Sequence, residues 1–145
     1  MANYCCAVRT NYFHVKDKDR FKKFMENVIS CEDNVDVWEE KDAAGNTVFG
    51  FGCYSSILGI DLGYNADNDY CEYDYDEFID GLSDIVADDD AIIILESGNE
   101  KLRYVVGGAT IITSNGYDYL DIATLAAQAA AEMLGNPSWK TRIDY

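Results

Sequence analysis

Residues 91–120 read AIIILESGNEKLRYVVGGATIITSNGYDYL. Ala91 to Leu95 is a near-continuous apolar run, which predicts a central strand buried on both faces. Ser97-Gly98-Asn99 predicts a turn into a second strand, Lys101 to Val106, and Gly107-Gly108 a bend before strand resumes at Thr110 to Thr113. Asn115-Gly116 is the strongest hairpin signal in the chain, because both residues tolerate the positive φ of a two-residue turn. Tyr117 to Leu120 is then the return strand. Connections this short join antiparallel strands only, since a parallel pair needs a crossover of about a dozen residues.

The same grammar extends upstream. Val35 to Lys41 and Thr47 to Tyr54 flank an Ala44-Gly45-Asn46 turn, and Gly50 and Gly52 predict a bulge or the close approach of another backbone. Residues 3–10 alternate as a strand with Tyr4, Cys6 and Val8 on one face. Asp17 or Asp19 is placed to cap a helix carrying Phe21, Phe24, Met25, Val28 and Ile29 on one side, with Arg20, Lys22, Lys23 and Glu26 as its solvated face. A second helix follows from Phe78, Ile79, Leu82, Ile85 and Val86, with Asp74 and Glu77 as a capping pair. It runs into Asp88-Asp89-Asp90, an arrangement that opposes the helix dipole. A third spans about Asp121 to Leu134, with Ile122, Leu125, Ala129 and Met133 predicted to face inward and Gly135-Asn136-Pro137 as its stop. The polar stretch Asp61 to Asp76 reads as loop. The expected fold is one acidic α+β domain over residues 1–145, a mainly antiparallel sheet with three helices packed against it in the order β-α-β-β-α-β-β-β-α.

Charge narrows the function. The 145 residues hold 27 acids and 11 bases, a net charge of -16. Residues 42–100 contain 15 of those acids and not one Lys or Arg, whereas the rest of the chain is nearly neutral. Direct nucleic-acid binding needs the opposite balance. No apolar run reaches the ~18 residues of a membrane span, and Met1 to Arg9 lacks the cationic and apolar parts of a signal peptide. The five cysteines, Cys5, Cys6, Cys31, Cys53 and Cys71, lack C-x-x-C spacing and read as reduced, buried thiols of a cytoplasmic protein.

Chemistry at a site is disfavoured. His14 is the only histidine, so neither a nucleophile–base pair nor a zinc site is readily assembled. Nucleophile-elbow, phosphate-loop and dinucleotide fingerprints are missing. Asn65, Asp67, Asn68, Asp69 and Asp74 offer hard oxygen ligands, but Tyr70 or Glu72 occupies the position where a calcium loop needs glycine. No catalytic residue, metal site or cofactor is expected.

What remains is the acidic cluster between residues 61 and 90: Asp61, Asp67, Asp69, Glu72, Asp74, Asp76, Glu77, Asp80, Asp84, Asp88, Asp89 and Asp90. Within it, Tyr70, Tyr73 and Tyr75 alternate with acids. This reads either as a half-buried edge with tyrosines inward, or as an interaction surface in which Tyr supplies contact area at low entropic cost. Uncompensated anions in one region repel one another and attract basic surfaces. In size, acidity and α+β pattern, especially across residues 61–90, the chain resembles the small anti-restriction and anti-CRISPR inhibitors carried by phages and conjugative elements, several of which mimic DNA. The resemblance implies an inhibitory binding protein whose acidic face, with Tyr70, Tyr73 and Tyr75 as anchors, occupies the nucleic-acid groove of a basic partner, a host defence nuclease. The alternatives are an interaction domain whose acids are merely solvated, or weak binding of divalent cations.

Overall fold

The computed structural model describes residues 4–32 and 34–142. Asn3, included in the first predicted strand, lies outside the described residues. Among the described residues, nine strands and three helices follow one another as β1 (Cys5–Thr10), α1 (Lys18–Met25), β2 (Val28–Ser30), β3 (Asp36–Lys41), β4 (Thr47–Cys53), β5 (Ile57–Asn65), β6 (Tyr70–Asp74), α2 (Tyr75–Ile85), β7 (Ile92–Glu100), β8 (Tyr104–Thr113), β9 (Gly116–Asp121) and α3 (Ile122–Leu134). Six strands form an antiparallel sheet in the order β3-β4-β1-β7-β8-β9, and β2-β5-β6 form a smaller one. The architecture is α+β and mainly antiparallel. The large sheet and the helices reproduce the expected order, and the small sheet is inserted into it.

Alternation assigns the two faces of the large sheet. Cys6, Val8 and Thr10 of β1 are buried, as are Ile92 and Ile94 of β7, Ile112 of β8 and Phe49, Phe51 and Cys53 of β4. Onto this face pack Phe21 and Met25 of α1 and Phe78, Ile79, Leu82 and Ile85 of α2. Five fully buried phenylalanines form the centre: Phe13 meets Phe21 at 5.5 Å and Phe51 at 6.1 Å, Phe21 meets Phe49 at 4.7 Å, and Phe51 meets Phe78 at 6.1 Å. Phe21 and Phe49 are tilted at 39°, and the other three pairs meet edge-on, a geometry that aromatic quadrupoles favour.

Several local expectations change. Val28 and Ile29 leave the helix after Met25 and pair with Ile60 and Gly59 as β2. Residues 61–76 are not loop but the β5–β6 hairpin and the start of α2, registered by Asp61 opposite Tyr73 and Asn65 opposite Tyr70. β7 runs on through Ser97-Gly98-Asn99, and the turn falls at Lys101 to Arg103. Gly107-Gly108 makes no bend. Both lie within β8, and Gly108 is small because the Tyr119 ring lies where its side chain would be. Gly52 fits the close-approach reading: a Cβ there would sit 2.5 Å from the Val8 carbonyl oxygen. The β7 strand is central but not buried on both faces, since Ile93 and Leu95 are exposed on the side away from α1 and α2.

The third helix departs most. Asp121 caps it by accepting from the Thr124 N–H, and Gly135 closes it in the left-handed conformation with φ 62°. Yet Ile122, Leu125, Ala129 and Met133 point outward, and the half-buried positions are Ala123, Ala127, Ala130 and Ala131. The helix lies mainly against β8 and β9. Among the described residues, no helix is long and apolar enough to cross a membrane.

Candidate functional site

The acidic cluster is built on two supports. The first is α2, whose apolar residues are all spent on the core, so that Asp76, Glu77, Asp80 and Asp84 stand exposed. Asp76, Asp80 and Asp84 are spaced i, i+4, i+8 and share one helix face. Asp74 begins the helix by accepting from the Glu77 N–H at 3.0 Å, as the capping pair predicts.

The second support is the β5–β6 hairpin, which runs directly into α2. Its turn is tied together by its own polar groups. The Asn65 side-chain oxygen accepts from the N–H groups of Asp67 and Asn68, and its amide nitrogen donates to Glu72 at 2.6 Å. The Tyr64 hydroxyl donates to Asp69, a residue held at φ 55°. Asp61 accepts from the Gly63 N–H at 2.8 Å. Of the oxygens that resembled cation ligands, those of Asn65 and Asp69 are thus engaged in shaping the turn and that of Asp74 in capping α2. Among the described residues, no group of three His, Cys, Asp or Glu side chains is arranged to hold a metal ion.

Tyr70, Tyr73 and Tyr75 are all exposed, whereas Glu72 and Asp74 are half-buried, the reverse of a tyrosine-inward edge. Tyr64 and Leu62 on β5 are exposed beside them and were not singled out from the sequence. The alternation Ile60, Leu62, Tyr64 was the available signal, but Asp61 and Gly63 between them made the segment read as loop.

The run after α2 behaves differently. The helix ends at Ile85 and Val86 is already extended, so Asp88 to Asp90 lie beyond the last turn and do not oppose its dipole. Asp88 meets the Lys16 ammonium at 3.2 Å, an exposed pair worth little. Asp90 is structural. It accepts from the His14 backbone N–H at 2.7 Å and lies 2.7 Å from the ring Nδ1, while Asp42 lies 2.8 Å from Nε2. Of the twelve clustered acids, these two alone among the described residues form ion pairs.

The His14 clamp has a definite pH signature. Hydrogen bonding to Asp42 first, and to Asp90 next, raises the imidazole pKa above its ordinary value, because an imidazolium donates from both nitrogens. The His14 bond in turn lowers Asp42. Asp90 is pushed up by partial burial, but the hydrogen bonds from the His14 backbone and ring and from Ala91 leave it below the usual carboxylate range. A raised histidine contributes stability that is full below about pH 6.5 and fades as pH rises through the folded-state value. The lowered carboxylates contribute above about pH 4 and fade on acidification. Thermal stability is therefore expected to fall on the alkaline side of pH 6.5, and His14→Gln is expected to flatten that decline. Melting curves of the two proteins from pH 4 to 9 check this; parallel profiles would show that the clamp does not titrate.

The thiols are more accessible than the sequence suggested. Cys6 and Cys53 are buried, but Cys5, Cys31 and Cys71 are exposed. Cys5 follows from strand alternation, which turns it away from the core.

Compared with known protein families, curated proteins and solved structures, the chain matches none. Functional inference therefore rests on the site itself.

Proposed function

We propose that this protein is a non-catalytic inhibitor that acts in the cytoplasm. Its acidic surface, on α2 and the β5–β6 hairpin, would occupy the nucleic-acid-binding groove of a basic partner, a defence nuclease of the restriction or CRISPR type. The observation that carries the reading is the outer face of α2. Asp76, Glu77, Asp80 and Asp84 stand exposed on a rigid helix without a compensating cation among the described residues. From Asp76 to Asp84 is roughly 12 Å of helix axis. Four carboxylates there compare with about seven phosphates over the same length of duplex, and the hairpin adds Asp61, Asp67, Asp69 and Glu72 nearby in sequence. Exposed Tyr70, Tyr73 and Tyr75 supply apolar contact area beside the charge, which duplex phosphates alone do not offer. Asp88 and Asp90 contribute less, being paired within the fold.

Electrostatic docking makes the test sharp. Cleavage assays with a panel of purified restriction and CRISPR nucleases should find one that the protein inhibits, with duplex DNA competing for the complex. Affinity is expected to fall at least tenfold between about 50 and 200 mM salt. Asp76→Asn, Asp80→Asn and Asp84→Asn together are expected to weaken inhibition at least tenfold while leaving the circular dichroism and melting profile intact, because all three side chains are exposed. Normal inhibition by the triple variant would remove α2 as the docking surface. Inhibition insensitive to salt would remove the electrostatic mechanism.

A further inference from the structure

The face of the large sheet away from α1 and α2 is met by α3 at β8 and β9, and among the described residues the part beside that helix is left open. Ala7, Ser97 and Gly107 form one row across β1, β7 and β8, and Arg9, Leu95, Ala109 and Leu120 the next, extending to β9. With Ile122 and Leu125 of α3 these rows line an open groove of about 570 Å³. Gly107 keeps the helix close: a Cβ there would lie 3.1 Å from the Ile122 side chain. Beyond the groove, the outer stripe of α3 continues through Ala126, Ala129 and Met133. Leu95 is 54% exposed, Ile122 60% and Met133 89%.

We propose that this face is an isologous interface between two copies of the chain, each laying the outer stripe of α3 into the groove of the other. Three observations select a second copy as the occupant. First, the sequence periodicity writes Ile122, Leu125, Ala129 and Met133 as a buried stripe, yet among the described residues of one chain that stripe stands exposed. A helix apolar on nearly every side is a helix whose burial must be completed.

Second, the area approaches what a dimer needs. At about 120 Å² for each fully exposed aliphatic side chain, the exposed parts of Leu95, Leu120, Ile122, Leu125 and Met133 come to roughly 350 Å² per copy. A standard interface takes about 800 Å² from each partner, of which about 65% is apolar in homodimers. Ala7, Ala126 and Ala129 bring the surface toward that requirement.

Third, the charge fits. Most of this molecule repels another copy, but the groove carries one charged side chain, Arg9, because Glu96 lies opposite buried Val8 and turns to the other face of the sheet, and α3 carries only Glu132. The Arg9 guanidinium lies over the Trp38 ring at 4.9 Å, held within the face. A two-fold axis makes Arg9 of one copy and Glu132 of the other available to each other, and each such pairing occurs twice. A basic partner has the opposite surface to choose; the neutral face suits a neutral face. Docking here also leaves α2 and its carboxylates on the outside of the pair, because α2 packs on the other side of the sheet.

Light scattering coupled to size exclusion, at micromolar chain concentrations, tests this. The wild-type protein is expected to run at twice the 16.2 kDa of one chain. Leu125→Glu with Met133→Glu, and separately Leu95→Glu on the sheet side, are each expected to raise the dissociation constant at least a hundredfold and give the monomer mass. These positions are exposed in the single chain, so unchanged far-ultraviolet dichroism verifies that the fold is kept. A wild-type monomer at all accessible concentrations overturns the proposal and leaves the face to a different protein. A dimer that persists in the α3 variant places association on another surface and overturns it equally. Dissociation by the α3 substitutions but not by Leu95→Glu overturns the seating of the helix in the groove.

Discussion

Phe78→Ala is expected to destabilise the fold by about 3–5 kcal/mol, the usual range for emptying a buried phenylalanine site. The Phe78 ring is fully buried, packs edge-on against Phe51, and is flanked by Phe24 at 6.3 Å and by Tyr75 at 5.5 Å. It is therefore the point at which α1, α2 and β4 meet. Removing it leaves a cavity that these elements cannot close without moving the helix that carries Asp76, Asp80 and Asp84. For a chain of this length the loss corresponds to a melting temperature lower by roughly 10 °C. Urea unfolding at constant m-value measures it directly. A loss below about 1 kcal/mol would mean that the aromatic centre repacks freely, and the rigidity claimed for the acidic surface would fall with it.

Gly59→Ala is expected to cost about 4 kcal/mol, for a different reason. Gly59 has φ +133°, and a Cβ there would overlap the carbonyl group of Asp74 and press on the backbone nitrogen of Tyr75. Those atoms are backbone at the junction of β6 and α2, so they cannot rotate away as a side chain would. The substitution combines a conformation that L-residues avoid with overpacking. Gly63→Ala is the matched control. It has φ +99° but open space around the missing Cβ, so about 1–2 kcal/mol of conformational strain is expected alone. Equal effects at the two glycines would show that the close approach of β5 to the start of α2 does not carry the difference. Hydrogen exchange at the α2 amides would localise the damage, because in Gly59→Ala the first turn of that helix should lose protection before the large sheet does.

Much of this architecture is legible because its residues act locally. The capping by Asp17 and Asp74, the left-handed Gly135 and the buried stripe of α2 each depend on a few neighbouring residues, and each appears where the pattern places it. The hairpin after β8 forms as well, but its two turn residues are Ser114 and Asn115, one position earlier than the Asn115-Gly116 signal, and Gly116 opens β9 paired with Thr113. The small sheet was not legible. β2 is only three residues long, and its Val28 and Ile29 also fit the helical period of α1. The β5–β6 hairpin is rich in Asp, Asn and Gly, the residues that ordinarily signal loop. Its strand character comes from pairing with segments that are distant in sequence or weakly patterned themselves.

The acidic site divides in the same way. That the negative charge is concentrated in residues 61–90 is a property of the sequence, and so is the outward direction of Asp76, Asp80 and Asp84 once α2 is recognised. Which acids remain free is a tertiary matter. Asp90 and Asp88 are taken by His14 and Lys16, more than seventy residues away in the chain, through packing that brings the segment before α1 beside the end of α2.

The sequence by itself determined an antiparallel α+β chain with one strongly acidic region, because turn chemistry, capping and helical periodicity are short-range and charge is additive. Only the tertiary structure decided which faces those elements cover. The apolar stripe of α3 shows the limit. Its period is written in thirteen consecutive residues, but whether it points at the sheet or away from it depends on the few contacts that seat Ala123, Ala127, Ala130 and Ala131. Burial is a relation between surfaces, and a periodic pattern records that a partner is wanted without recording whether that partner lies in the same chain.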